Sequence, residues 1–585
     1  MSEAIWRINV TQQTVSTEPV PQNWRRLGGR GLIPRILLDE VPPYCDPLGP
    51  FNKLLFTPGL LVGHMLSSCD RLSVGGKSPL THGVKESNAG GTTALKLTHL
   101  GIKALIVEGE PADDGWWVVH LGADGWRFEP ADDDSWGPER GLVGLGVYES
   151  AARLLERYGP KVAIALIGPG GERRLASAGI QNLDKDREPS RIAARGGLGG
   201  LMGAKRIKAI VIDATEGEKP PLADPELYKD AQKRYTKALL AHPQTAVYAD
   251  FGTAAMTMMC SSHGGLPTRN FSSGNFEDAE KISGETMREL ILARGGEGQT
   301  THACMPGCVI RCSNCFAGSD GKTISSPVEY ETIGLVGSNL GIADLDTIAR
   351  INREINDLGL DTIEVGAALG VAADAGLMAF GDGQRALELV NEIRRDSPLG
   401  RVLGQGAATV GRVFGVRRVP AVKGQGISAY DPRAIKGTGV TYATSPQGAD
   451  HTCGLTIRAQ VDHLDPEGQA ELSLTAQINM AGYDTLGACL FGGFGFATAP
   501  GAIRDLLKGR YGWDLGEDAL QVLGRETLTL ERVFNTAAGF TSADDRLPEW
   551  MTLEPLPPTD AVFDVSEEDL DQVFGWTVED DSGAT

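Results

Sequence analysis

Four cysteines crowd into one short stretch of this chain, and no other feature constrains the fold as strongly. The stretch runs His302-Ala303-Cys304-Met305-Pro306-Gly307-Cys308-Val309-Ile310-Arg311-Cys312-Ser313-Asn314-Cys315. Thiolates this close repel one another unless a metal neutralises them, so the fold has to gather them around one. An iron–sulfur cluster takes four thiolates, often three local and one distant. Zinc also takes four, but usually as two separated pairs, so the spacing favours iron–sulfur. The other five cysteines, Cys45, Cys69, Cys260, Cys453 and Cys489, are scattered. Spacing alone does not say which four bind. Cys308-x3-Cys312-x2-Cys315 has the spacing of radical S-adenosylmethionine enzymes. Asn314 stands where those enzymes usually carry an aromatic residue, and the motif comes three hundred residues late.

Crowded cysteines in a reducing compartment signal metal or redox chemistry rather than disulfides. The amino terminus, MSEAIWRINVTQQ, has neither the basic nor the apolar segment of a signal peptide. No apolar run is long enough to span a membrane. A cytoplasmic protein is expected. The formal net charge of −21 argues against nucleic acid, whose binding needs phosphate-neutralising cations, and against anionic membranes. It suits solubility, or docking to a basic patch on a partner. A chain of 585 residues exceeds one ordinary core, so about two to four domains are expected. The 76 glycines follow no collagen period and cluster where backbone must approach something closely.

Residues 1–215 read as β-rich. IWRINV, KALIVEGE, WWVVHL, KVAIALIG and KAIVIDA are Val- and Ile-rich runs bounded by Gly, Asp and Pro. The Pro-rich stretch 217–227 marks a boundary, and helical patterns dominate beyond it. Leu345, Ile348, Ile351, Ile355 and Leu358 share one helix face. Asp344 or Asp346 can cap that helix, Gly359 can stop it, and a new helix begins near Asp361 or Thr362. Residues 384–415 also read as helical. A second boundary falls near 415–430, and the acidic last twenty residues read as a frayed tail. One short echo stands out: Asn356-Asp357-Leu358-Gly359-Leu360-Asp361 resembles Asp484-Thr485-Leu486-Gly487-Ala488-Cys489. By itself it is no more than a shared helix-stop motif.

GGRGLIPRILLDEV, KSPLTHGVKESNAGG and ARGGLGGLMGAKRIKAI resemble the pterin-binding domain of the aldehyde ferredoxin oxidoreductase family. SPVEYETIGLVGSNLGI, INDLGLDTIEVG, AYDPR, TSPQGADH and DTLGACLFGGFG follow in that family's order, so the resemblance covers nearly the whole chain. It implies an α+β chain of three domains: a β-rich pterin-binding base over 1–215, a mainly helical domain over 216–425 and another over 426–585. It implies tungsten, or molybdenum, held by two pterins, with one [4Fe–4S] cluster beside it.

Carried over position by position, Cys304, Cys308, Cys312 and the distant Cys489 match the cluster ligands. Three residues separate Cys304 from Cys308 where the founding pattern has two, so Cys315 stays an alternative to Cys304, which is preferred. Asn88 and Ile192 match positions whose carbonyls hold a magnesium ion between the pterin phosphates. Arg71 matches an arginine between cluster and pterin, and Arg191 one near the phosphates. Gly90 and Ala193 lie in the adjoining turns, whose backbone amides suit an anion. Asn356 and Leu360 belong to one pterin loop, Asp484 and Ala488 to the other. Gln447 and Asp450 match second-pterin positions, with Gln447 standing in place of an arginine.

Glu331 and His451 match the side chains nearest the metal. Glu331 would act as base towards water or a hydrated aldehyde, and His451 would polarise the aldehyde oxygen. Apart from the resemblance, the same residues read as a helix-surface carboxylate and a core histidine, and Glu329 is the near alternative. The implied reaction oxidises aldehydes to carboxylic acids. Electrons would leave to a ferredoxin, or to a multi-cluster iron–sulfur subunit followed by a flavin subunit, within an oligomeric assembly. The rivals are aryl-CoA reduction on the same scaffold and a noncatalytic electron carrier.

Overall fold

All five β-branched runs lie in strands, and they belong to two sheets built alike. The computed structural model describes residues 3–137 and 141–576. The first sheet contains β1 (Ala4–Asn9), β2 (Thr14–Pro19), β3 (Leu54–Pro58), β4 (Leu72–Lys77), β5 (Val84–Ala89) and β6 (Ile102–Glu108). The second contains β7 (Trp117–Gly122), β8 (Gly125–Pro130), β9 (Ala163–Leu166), β10 (Ile180–Asn182), β11 (Arg191–Ala193) and β12 (Ile207–Asp213). Their orders, β2-β1-β6-β3-β4-β5 and β8-β7-β12-β9-β10-β11, are the same path taken twice. In each, the first and last strands of the repeat pair in parallel and every other pair is antiparallel. Helices also recur in step: Gly29–Glu40 matches Val147–Tyr158, and Thr93–His99 matches Leu198–Ala204. The edge strands β5 and β11 lie side by side at the centre, and the loops that follow them face the rest of the chain.

Beyond the base, the helix Leu345–Asp357 is capped by the Asp344 side chain, which accepts from the Thr347 N–H. Its apolar face, Leu345, Ile348, Ile351, Ile355 and Leu358, is buried. Each such side chain contributes about 1.5–3 kcal/mol relative to exposure. Asp361 caps the next helix, Thr362–Asp374. The stretch 384–415 holds three helices, Gly383–Arg394, Pro398–Gly404 and Ala407–Phe414. Residues on both sides of position 425 share one hydrophobic core, which draws on side chains from Leu175 to Phe574. Two small sheets break the helical run. One holds Gln299–His302, Ser313–Ala317 and Thr323–Ser325, the other Ala421–Val422 and Gln425–Gly426.

The frayed-tail expectation is corrected in part. Residues up to 576 are packed: Glu567–Gln572 is helical, and Leu570, Val573 and Phe574 are buried. The charges that made the segment read as a tail sit on the outer face of that turn. The rest of the expected tail, 577–585, lies outside the described residues.

The six-residue echo is structural. Gly359 and Gly487 both adopt left-handed backbone, at φ +71° and +78°. In the first loop Gly359 N–H bonds Asn356 O and Leu360 N–H bonds Ile355 O; in the second, Gly487 bonds Asp484 and Ala488 bonds Tyr483. These paired bonds are those of a Schellman stop. Each loop then docks on its own half of the base. Gly179 N–H donates to Gly359 O at 2.9 Å, and Asp361 N–H to Ser177 O at 2.9 Å. Correspondingly, Arg71 N–H donates to Gly487 O at 3.1 Å, and Cys489 N–H to Ser68 O at 2.7 Å. Side chains are excluded here: a Cβ on Gly359 would lie 2.7 Å from Gly168 N, and one on Gly487 2.8 Å from Val62 Cγ2. Gly359→Ala therefore combines left-handed strain with a backbone clash, and is expected to cost about 2–3 kcal/mol. A lowered midpoint of thermal inactivation checks it.

Candidate active site

Three of the four crowded cysteines follow or precede strands of the small sheet. Cys304 and Cys308 lie in the loop after Gln299–His302, and Cys312 directly precedes Ser313–Ala317. Cys489 arrives from the second echo loop, more than a hundred and fifty residues later. Burial pushes the Cys304 thiol up to about 12, and its Cys308 and Cys489 neighbours add to the effect. Burial likewise raises Cys312, helped by Glu329 and by the thiols of Cys304, Cys489 and Cys308. Cys489 is raised by burial and by Cys308, against the opposing pull of Arg71. These four thiols therefore sit within one another's field. Cys315 is directed elsewhere: it donates to Ser326 Oγ at 3.4 Å, and its electrostatic neighbours are Arg191, Asp184 and Glu188, with no thiol among them.

The nest is wider than a zinc site. Among the described residues, the one set of three His, Cys, Asp or Glu ligand atoms all within 4.8 Å of one another is Asp184, Asp186 and His302. Tetrahedral zinc–thiolate sites hold their sulfurs ~4 Å apart. A donor set of four half-buried, mutually repelling thiols spread more widely fits a multi-iron cluster.

Cys304, Cys312 and Cys489 face a cavity of about 370 Å³. Arg71, Asn88 and Gly90 line it from one half of the base, and Arg191 and Ile192 from the other. Asn356 and Asp484 enter it from the two echo loops, and Glu331 and His451 line it as well. Arg71 Nε donates to Asn88 Oδ1. Arg191 Nη2 donates to Ser313 Oγ at 2.9 Å, while its Nε is buried with no hydrogen-bond partner. An orphaned guanidinium N–H in a cavity wall suits an anionic group. Gly90 is a close approach: its Cβ would lie 3.2 Å from Cys304 Sγ.

Six of the sequence-expected residues do not line this space. Ala193, Leu360 and Ala488 are buried, each next in the chain to a residue that does, Ile192, Asp361 and Cys489. Gln447 is committed to Glu531 Oε1 at 2.8 Å and accepts from Glu86 N–H. Asp450 forms a buried ion pair with Lys85 at 2.8 Å. Burial opposes its charge, but Lys85 and Arg195 hold the carboxyl well below the usual range. Cys308, also outside the cavity wall, is near Ser68 Oγ at 3.5 Å.

Glu331 lies in the first turn of a helix that opens into a wide π turn over Ile333–Gly337; such turns recur at functional sites. Burial raises the Glu331 carboxyl above its ordinary value, against the pull of His451, the Ala429 N–H and Arg195. Oε2 accepts from Ala429 N–H at 2.8 Å. Oε1 is buried and unbonded, with His451 Nε2 at 3.3 Å in poor alignment for a hydrogen bond. His451 is oriented by Ser428 Oγ at 3.2 Å from Nδ1. Glu329 also faces the cavity, but it is occupied: Thr253 donates to it, Ser313 Oγ lies at 3.4 Å and Arg191 at 3.9 Å.

Two residues escaped the sequence reading. Arg195, which the sequence offered only within the run ARGGLGGLMGAKRIKAI, sends its guanidinium to Asp361, Ser428, Ala449 O and Gly426 O, tying the first echo loop to the His451 segment. Tyr430 lines the cavity with its ring centroid 5.8 Å from that of His451. Its place in the AYDPR motif was the available signal.

Fold and site together define an oxidoreductase scaffold: a nest of thiols opening onto a cavity that a carboxylate with an open oxygen also lines. Comparison makes the assignment specific. The chain belongs to the aldehyde ferredoxin oxidoreductase family: the family model for the N-terminal domain matches residues 5–214, and that for domains 2 and 3 matches 230–577. The tungsten-containing aldehyde ferredoxin oxidoreductase of Thermococcus kodakarensis is 30% identical over 583 residues, covering 94% of this chain and 91% of that protein. Its counterpart in Pyrococcus furiosus is 31% identical over 582 residues, covering 94% and 91%. A Pyrococcus furiosus aliphatic sulfonate oxidoreductase, WOR-like subunit, is 25% identical over 574 residues, covering 91% and 85%. The fold also matches the active site complex BamBC of benzoyl coenzyme A reductase, with TM-score 0.79, 18% identity, and 98% and 93% of the two chains covered.

Proposed function

We propose that this chain oxidises aldehydes to carboxylic acids at a tungsten, or molybdenum, bis-pterin centre, and that electrons leave through a [4Fe–4S] cluster to a ferredoxin or a dedicated iron–sulfur subunit. The observation that carries this reading is the cavity that Cys304, Cys312 and Cys489 line together with Glu331 and His451. When bound, the metal–pterin centre supplies a two-electron acceptor next to a one-electron cluster. Cys304, Cys308, Cys312 and Cys489 hold the cluster. Asn356 would hold one pterin from the first echo loop, with Leu360 supporting it from behind, and Asp484 the other from the second, with Ala488 supporting it in the same way. Arg71 would serve both cluster and pterin. Arg191 and the amides around Gly90 and Ala193 would receive the phosphates, and the carbonyls of Asn88 and Ile192 would take a magnesium ion. Gln447 and Asp450 act at longer range, since Glu531 and Lys85 already engage them.

Glu331 is the base. Its buried, unbonded Oε1 accepts a proton from water as that water adds to the aldehyde carbon. His451 donates from Nε2 to the oxygen that gains charge. The apolar walls, among them Met256, Leu455, Met480 and Phe491, exclude bulk water. The domain limits at 215 and 425 are part of the same proposal, as is a cytoplasmic location; among the described residues, no helix is long and apolar enough to cross a membrane.

Metal analysis of anaerobically purified protein, paired with two assays, tests the reading. Tungsten or molybdenum near one per chain with benzaldehyde-dependent viologen reduction is expected. Benzoyl-CoA reduction without aldehyde oxidation would move the chain to aryl-CoA chemistry. Iron alone would leave an electron carrier.

A further inference from the structure

On a chain with a net charge of −21, one surface pocket is lined by four cations, Lys96, Lys161, Lys185 and Arg187, and by a single carboxylate, Asp184. They come from separate elements: Lys96 from the helix Thr93–His99, Lys161 from the turn before β9, and Lys185 and Arg187 from the loop between β10 and β11. Lys185 pairs with the exposed Asp186 at 2.5 Å. Among the described residues, Lys96, Lys161 and Arg187 have no carboxylate at ion-pair distance, although Asp213 acts on Lys96 from farther away. Asp184 does not neutralise them. Its Oδ1 accepts from the Asp186 and Glu188 N–H groups, and its Oδ2 from Ser190 Oγ at 3.0 Å.

This pocket adjoins the thiol nest by two routes. Asp184 Oδ2 also contacts His302 Nε2 at 3.0 Å, and His302 is two residues before Cys304. On the other side Thr92, in the pocket wall, is two residues beyond Gly90, whose Cβ position lies 3.2 Å from Cys304 Sγ. Two backbone steps span at most ~8 Å.

We propose that this face is where an acidic, ferredoxin-type one-electron carrier docks to collect electrons from the thiol nest, an inference that rests on the function proposed above. An acidic carrier is repelled by most of this surface. This cationic pocket lies beside the thiol nest, where steering has the greatest effect on a redox encounter.

The test compares two charge-reversal variants of the full protein. Lys96→Glu/Lys161→Glu/Arg187→Glu alters the pocket. Lys229→Glu/Lys233→Glu/Lys237→Glu makes the same charge change on the outer face of the helix Pro225–Ala241. The probe is a purified acidic two-cluster ferredoxin, with methyl viologen as the small cationic alternative. The pocket variant should raise the KM for ferredoxin ~tenfold or more at low ionic strength, with the difference shrinking in salt. Its viologen-coupled kcat should stay within ~twofold, because steering acts on encounter. An unchanged KM for ferredoxin overturns the proposal, and so does an equal rise in the control variant, which would make bulk charge responsible. If the wild type shows no aldehyde-dependent viologen reduction, the functional reading fails. Calorimetric titration with ferredoxin then still tests the surface, and equal affinity of wild type and pocket variant overturns it.

Discussion

Glu331→Gln is expected to lower kcat for the proposed aldehyde oxidation by about 10³-fold, in the middle of the range for removing a positioned general base, with metal content unchanged. Glutamine keeps the size of the side chain and can still accept the Ala429 N–H, so the wall keeps its shape. What is lost is the charge at Oε1, a buried carboxylate oxygen that has no hydrogen-bond partner. The pH dependence carries a second signature. A base works only when deprotonated, and burial raises the Glu331 carboxyl above its ordinary value. Activity of the native enzyme should therefore fall as the pH drops through a value above the usual carboxylate range, and the variant should lack that limb. Full turnover in Glu331→Gln, or an acid limb preserved in it, removes the residue from this role. Loss of activity in Glu329→Gln alone would shift the assignment two positions upstream.

Cys489→Ser is expected to abolish cluster assembly, taking iron from about four per chain to a small fraction of that, while Cys315→Ser leaves it unchanged. The two cysteines are matched controls. Cys315 belongs to the crowded sequence stretch but turns to Ser326. Cys489 is remote in sequence yet sits in the field of Cys308 and Arg71. Iron analysis and the low-temperature spectrum of the reduced protein read out both variants, with circular dichroism confirming that each is folded. The opposite pattern, iron lost with Cys315 and kept without Cys304, would show that the nest closes with the other local thiol.

How much of this could be read without coordinates depends on the reach of the interaction. The helix Leu345–Asp357 and its Asp344 cap are local, since the cap, the period and the stop lie within a few residues of one another. The strands buried on both faces were legible as β-branched runs. β5, with its sequence Val-Lys-Glu-Ser-Asn-Ala, was not: its polar side chains are buried because the site needs them there, and pattern rules read such a run as a loop. The doubling of the base was invisible for a related reason, because backbone path and pairing repeat while side chains do not. The resemblance located Asp450, but only coordinates pair it with Lys85, 365 positions away. The small Cys-bearing sheet also escaped, since its strands are three to five residues long and carry no period to detect.

The twice-used path of the base gives this molecule an internal reference. Arg71 and Gly179 occupy corresponding places: each offers its amide to the carbonyl of a helix-ending glycine. The amide is therefore common to both sides, and the guanidinium is what one side adds. In the same way, the first echo loop ends in an aspartate clasped by Arg195 and the second in a cysteine. A scaffold with two equivalent flanks has no left or right of its own. Here handedness comes from a few unmatched side chains, and exchanging them in pairs is the most economical way to ask which flank an electron must use.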